Sequence, residues 1–550
     1  MASPRVGETT DPELTETGSV QSVVPATPSP PPSPTPSPSG QAHPAPAPQQ
    51  SKGKGWGLPL AILIVGMFMS VLDTSIVNVA IPVIQKQFGV STDQAQWITT
   101  SYSLCEGVVV PASAWLGDRI GLRRLYIWSM LGFAAVSALC GLSGNLETMV
   151  LFRILQAIPG GVIQVTCLTM IYKIVPPQKI GAAMGLFGLG VVVAPGIGPS
   201  LGGYLVEYVD WRLIYYINVP IGILGTIAAV AVLPHIAGSR GHRFDLPGFV
   251  CIAAACFALL LATSEGPTWG WTSYSILILF AAAINLIALF VVRVLQSQHP
   301  LLDISVFASR PFVISLILTV FLCSGLFAIV FYIPQFLQNG QSLTPWHTGL
   351  VLVPQALMMV ILMPVAGRLY DRFGARWPAL GGSLLVGIGS LLLSRVNVDI
   401  GRPELIVYLM IWASGLGVAM MPIMTGGISA LPPAVINSGS TFSTLTQRVA
   451  MALGLAILTA MATTQQRQLM ADRSALLSGQ GANANPQIID MQKQGPSGLV
   501  PLWEQLQNHV AAQTYSNVFL VCGVLAFLAA AMSFLLPAGT PTVGEKPMVH

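Results

Sequence analysis

Apolar residues run along this chain in long stretches broken by short polar, glycine- and arginine-bearing turns. A lipid hydrocarbon core of about 30 Å needs about 20 apolar residues of helix. On that ruler the first half divides into spans near 58–81, 95–116, 125–143, 147–172, 179–205 and 213–234. Two more follow near 246–262 and 274–295, and six near 311–338, 346–370, 376–395, 404–430, 437–464 and 515–537. The expected fold class is an all-α integral membrane protein with about fourteen transmembrane helices. Three segments fall outside the spans: a Pro/Ser/Thr/Ala-rich tail over 1–51, a long loop over 465–514 and a tail over 538–550. The first lacks an apolar stretch, so it is read as a solvated, extended tail.

Composition supports lipid as the solvent. The 550 residues are 53% hydrophobic and 8% charged, against roughly 25% charged in an ordinary soluble domain. The net charge of +4 is scattered, which argues against a nucleic-acid surface. The seven cysteines lie in apolar runs without a Cys-x-x-Cys pair, so neither a disulfide framework nor a zinc knuckle is expected. Lys and Arg concentrate in alternate loops, and with an even number of spans this places both termini in the cytoplasm.

Several function classes lose their chemistry at this point. The histidines sit in loops, tails or helix ends, and no His-Glu-x-x-His occurs, so neither an enzyme nor a metal site is expected. No Gly-Lys-Ser/Thr phosphate loop occurs, which argues against an ATP-driven pump. Gly188-Leu189-Gly190 lies in an apolar run with no strand before it, so it does not read as a nucleotide fingerprint. No cofactor is expected.

Two turns repeat. Ala114-Trp115-Leu116-Gly117-Asp118-Arg119-Ile120-Gly121-Leu122-Arg123-Arg124 follows the second span, and Gly367-Arg368-Leu369-Tyr370-Asp371-Arg372-Phe373-Gly374-Ala375-Arg376 follows the tenth. A topogenic basic loop explains the arginines but not the shared spacing of Asp, Arg and Gly. An internal repeat explains both, and repeated halves that rock against each other are a common transporter design.

At these residues the chain resembles the major facilitator superfamily, and more narrowly its fourteen-span drug:proton antiporters of the EmrB type. Further motifs carry the resemblance: Leu72-Asp73-Thr74-Ser75-Ile76-Val77-Asn78-Val79-Ala80-Ile81-Pro82, Arg153-Ile154-Leu155-Gln156-Ala157, Gly198-Pro199-Ser200-Leu201-Gly202-Gly203 and Ile217-Asn218-Val219-Pro220-Ile221-Gly222. Ala114, Leu122 and Ala157 depart from the family's usual residues. The resemblance implies a six-helix bundle over 58–234, two additional helices over 246–295, and a second six-helix bundle over 311–537 that carries 465–514 as an external loop. It implies a multi-pass protein of the bacterial cell (inner) membrane. The function implied is export of hydrophobic or amphiphilic small molecules in exchange for protons. The resemblance also implies a membrane-fusion adaptor protein as a candidate partner, with loop 465–514 read either as its docking point or as a mere cap.

Charges within spans single out the candidate site, because an ionised residue at a helix centre costs roughly 2.5–3.5 kcal/mol. Asp73, Glu106 and Arg153 are the candidates for proton coupling and substrate; the resemblance implies a coupling role for Arg153. Arg153, Gln156, Gly160 and Gln164 share one helical face, read as a cavity wall or as an interhelical seam. Asn78, Tyr102, Gln156, Gln164, Gln335 and Gln355 are candidate cavity-lining residues. Asp73 and Arg153 lie at similar depth, which leaves open whether they pair. Arg448 either snorkels to cytoplasmic water or serves function. Candidate gating residues are Asp118, Arg119, Gly121, Arg123 and Arg124 in the first turn and Asp371, Arg372 and Gly374 in the second. Pro195, Gly198, Pro199, Gly202 and Gly203 join them from the fifth span, where missing side chains permit close approach and prolines permit bending. Rival readings are export of a dedicated metabolite, lipid or siderophore, and a passive channel or receptor.

Overall fold

A computed structural model describes residues 55–236, 244–297, 300–477 and 496–539. The tail 1–51, nearly all of 538–550 and the centre of the 465–514 loop lie outside the described residues. Within them the chain is all-α. In order come α1 Gly57–Phe88, α2 Thr92–Ile120, α3 Leu122–Gly141, α4 Leu146–Ile174, α5 Ile180–Tyr208, α6 Leu213–Tyr216 and α7 Asn218–Val232. Next are α8 Leu246–Trp269 and α9 Tyr274–Gln296. The series ends with α10 Arg310–Gln335, α11 Pro345–Phe373, α12 Arg376–Leu393, α13 Arg402–Ser429, α14 Ile436–Leu477 and α15 Pro496–Ser533.

Local chemistry fixes several helix starts. Ser91 opens α2 with a reciprocal capping box to Gln94, and the Asn145 side chain accepts from the Thr148 amide at the start of α4. Such caps satisfy amides that have no partner within the first turn. The repeated turns end their helices alike: Gly121 and Gly374 stand at φ 91° and 76°, a backbone region that a Cβ disfavours.

Among the described residues, 13 helices are long and apolar enough to cross a membrane. The protein is a multi-pass membrane protein. The span expected at 95–116 is helical within α2 but is not among the 13. Thr99, Thr100, Ser101, Tyr102, Ser103 and Glu106 dilute its apolar content, and Ser101, Tyr102, Glu106 and Ser113 are buried in the protein interior. A helix with polar residues packed inward can lie at membrane depth without exposing them to lipid.

The 465–514 segment is helical at both ends, because α14 continues to Leu477 and α15 begins at Pro496. Hydropathy ends at the first polar residues, whereas the helical hydrogen-bond ladder continues through good helix formers such as Gln465, Gln466 and Arg467. Asn517 donates to Gln465 at 3.3 Å, and Arg473 donates to Gln513, tying the two extensions together.

Helices α1–α7 pack mainly on one another, as do α10–α15. Two seams join these sets. On one, α5 packs on α11; on the other, α14 packs on α2 and α4, and α8 lies against both α2 and α14. A Cβ on Gly181 or Gly367 would collide with the carbonyl oxygen of the other, and Gly185 and Gly188 continue that close face against Met363. Further along α5, Gly198 and Gly202 admit Ser75 and Ile76 of α1. One glycine-rich helix thus touches both sets, and Gly188 and Gly190 are packing positions.

Candidate functional site

Asp73 lies in the middle of α1, fully buried. Its Oδ2 meets Nη1 of Arg153 on α4 at 2.5 Å. Gln156, one helical turn beyond Arg153, donates to Asp73 Oδ1 at 3.1 Å and accepts from Arg153 Nη1 at 2.7 Å. Asn218, at the start of α7, donates to the same Oδ1 at 2.9 Å and to Ser137 of α3 at 3.1 Å. Arg153 Nε donates to the Ile98 carbonyl of α2 at 3.2 Å, and its guanidinium lies 4.1 Å from the centre of the Tyr102 ring. Three side chains from two helices, α4 and α7, therefore close around one carboxylate. An ion pair taken out of water persists only when its remaining lone pairs and protons are satisfied, and this one is held wholly within the first helix set.

The second pair is built differently. Fourteen residues separate Glu106 from either end of α2, so it sits about 21 Å from each. Its Oε1 accepts from Gln164 of α4 at 2.8 Å and lies 2.7 Å from Nη2 of Arg448 on α14. The same Arg448 Nη2 donates to Gln164 Oε1 at 2.6 Å. This triad joins α2 and α4 to α14, across the seam between the helix sets. Arg448 is therefore not a snorkelling residue: its charge turns inward to a buried carboxylate. The side chain of Glu106 is 1% exposed and that of Arg448 20%, so the arginine is the accessible member.

Tyr102 separates the two centres. Its ring stacks on Arg153, and its buried hydroxyl abuts Gly160 with no hydrogen-bond partner. The face shared by Arg153, Gln156, Gly160 and Gln164 is thus one continuous wall, with the first ion pair at one end and the triad at the other. Asn78 stands apart: it is exposed, and its amide donates to the Thr74 carbonyl of its own helix at 3.1 Å. Gln335 and Gln355 are part-buried on α10 and α11, and no hydrogen bond links them to either ion pair.

The turn residues form a third group. Asp371 accepts from the Gly181 and Ala182 amides at 2.8 and 2.9 Å, at the first turn of α5. Asp118 accepts from Asn437, at the first turn of α14. Each repeated aspartate thus reaches the start of a helix in the opposite set, where amides and dipole favour an anion. Arg119 stacks on Trp115 and Arg372 on Phe373. Arg123 donates to the Val230 carbonyl, and Arg124 is exposed. Pro195 supplies a carbonyl to Ser75 at 3.4 Å. Gly203 has open space where a Cβ would stand, and the side chain of Pro199 lies outside the described residues.

Sequence reasoning did not include Asn218, Ser137 or Arg448 among the site residues. A carboxamide and a guanidinium in apolar runs were the available signals, but only packing supplies their partners.

Comparison with known proteins gives a consistent picture. Residues 63–455 match the Major Facilitator Superfamily. The chain is 30% identical over 492 residues to the tetracenomycin C resistance and export protein of Streptomyces glaucescens, covering 87% of this chain and 91% of that one. It is 33% identical over 397 residues to the multidrug resistance protein Stp of Mycobacterium tuberculosis, covering 72% and 73%. The solved structure of the proton:xylose symporter XylE superposes with a TM-score of 0.55 at 12% identity, covering 88% of this chain and 96% of that one. The last likeness concerns the fold alone.

Proposed function

Because the chain belongs to the major facilitator superfamily, a family of transporters rather than enzymes, we propose that it is a fourteen-span, EmrB-type antiporter. In this reading it exports hydrophobic or amphiphilic small molecules, drugs and toxins among them, in exchange for protons by alternating access. The observation that carries the reading is the pair of buried carboxylates, Asp73 and Glu106, each facing an arginine. A carboxylate that pairs with a cation in one state and takes up a proton in another can couple a proton's descent to movement of the protein. The relatives' names as multidrug resistance and export proteins agree with this direction of transport.

The closed contacts between Gly181 and Gly367 and around Asp118 and Asp371 lie at the arginine-rich end. By the positive-inside rule that end is cytoplasmic, as are both termini, in a bacterial inner membrane. The structure is then a state closed towards the cytoplasm. The external helical extensions of α14 and α15 would be the docking point for a membrane-fusion adaptor protein. A second reading, export of one dedicated metabolite, is favoured by the relative named for tetracenomycin C.

The test is efflux from proteoliposomes under an imposed pH difference. Wild-type protein should move amphiphilic dyes against their gradients only while that difference lasts. The Asp73→Asn, Glu106→Gln double variant should lose uphill transport. Unchanged proton-driven efflux in that variant would sink the assignment. Movement of one compound and no other would select the dedicated-exporter reading.

A further inference from the structure

The two ion pairs differ in where their partners reside. Asp73 and all its side-chain partners belong to α1, α4 and α7, so motion between the helix sets need not disturb them. Glu106 and Gln164 lie on one side of the seam and Arg448 on the other. Any separation of the sets at this depth must pull Arg448 from the carboxylate. The more accessible partner is the arginine, and its Nε is buried without a hydrogen-bond partner. A ligand approaching Glu106 meets Arg448 first.

We propose that Arg448 is the built-in counter-cation of the Glu106 site, a latch across the seam that either a proton or a lipophilic cation displaces. The proposal rests on the exchange reading above and names the substrate class of that same site. A bound cation takes the carboxylate from Arg448 and lets the sets separate. On the other side of the membrane a proton replaces the cation, and neutral Glu106 again leaves Arg448 unheld. With neither bound, the ion pair re-forms and the sets stay joined. An exchanger needs such a block, since an empty, deprotonated carrier that turned over would let protons run down their gradient. Gln164 holds both partners at once, accepting from Arg448 and donating to Glu106, and so sets the register in which the latch closes.

The groups facing Glu106 are few. On α2 they are Tyr102 and Cys105; the charges that reach it from other helices are Arg448, Arg153 and Asp73. From α8 the neighbour is Leu260, packed at Gly107. Arg153 is already held by Asp73, so Arg448 is the cation whose release depends on the seam.

The test uses the full chain in proteoliposomes, with tetraphenylphosphonium as the cation and an entrapped pH dye. Without tetraphenylphosphonium, wild type should hold an imposed pH difference. Arg448→Met should dissipate it and bind tetraphenylphosphonium about tenfold more tightly at fixed pH, the scale of one interhelical polar contact. Arg448→Lys should behave as wild type. The Glu106→Gln, Arg448→Met double variant should bind the cation no more tightly than Glu106→Gln alone, which controls for a folding defect in the single variant. An Arg448→Met protein with wild-type proton tightness and wild-type affinity overturns the proposal, even where dye efflux stays proton-driven. If the variants differ as expected but wild type shows no pH-driven uphill transport, the latch stands and the antiport reading falls.

Discussion

At the scale of single residues, the two carboxylates lead to different predictions. Asp73 is fully buried and accepts from Arg153, Gln156 and Asn218. Asp73→Asn leaves the Arg153 charge buried without its counter-ion, a change that costs about 3–5 kcal/mol in comparable buried pairs. Thermal unfolding in detergent should show this as a clear fall in midpoint, and Asp73→Asn, Arg153→Met should recover most of it without recovering transport. Asn218→Ala removes one donor but no charge, so its loss should be about 0.6–2 kcal/mol, the range for one interhelical contact. A fall in midpoint as large as that of Asp73→Asn would place more of the site's stability in Asn218 than its geometry allows.

Among the elements, α5 is where the two helix sets come closest. A side chain at Gly181 has no room because the Gly367 backbone occupies its place. Gly181→Val should fold, because α5 remains helical, yet disfavour the closed arrangement at that end. Spin labels at the exposed positions Arg124 and Trp377, at the starts of α3 and α12, should report a longer mean separation than in wild type. An unchanged distance distribution would show that the glycine contact does not hold the closure. Asp371→Asn tests the same closure by charge. It removes a carboxylate from the first amides of α5, where an anion is worth about 0.3–1 kcal/mol. Its shift in that distribution should be smaller than the valine's.

For the whole molecule, the proposed topology, with arginine-rich turns inside and an even number of spans, puts both termini in the cytoplasm. A C-terminal fusion to a fluorescent protein that matures only in the cytoplasm should be bright, and a C-terminal alkaline phosphatase fusion inactive. The opposite pattern would invert the orientation and turn the closed end of the structure outward. The position of α8 belongs to this scale as well. It packs against both α2 and α14, so α8 lies on the seam that Arg448 crosses.

The linear chain settled what depends on local composition. Long apolar runs in a charge-poor sequence dictate helices in lipid, because only internally hydrogen-bonded segments can span it. The spacing of the Asp118 and Asp371 turns and the polar face from Arg153 to Gln164 are also local, as both follow from helical periodicity. The energetic argument against lone membrane charges singled out Asp73, Glu106 and Arg153 from the sequence alone. Tertiary packing decided what depends on distance across helices. It brought Asp73 to Arg153, 80 residues away, added Asn218 as a third donor, and turned Arg448 from the water to Glu106. It also gave α2, the least lipid-like of the expected spans, a place for its polar residues in the interior. No periodicity within one helix encodes which neighbour stands beside it, so pairing, and with it the division into one charge pair within a helix set and one between sets, became visible only in three dimensions.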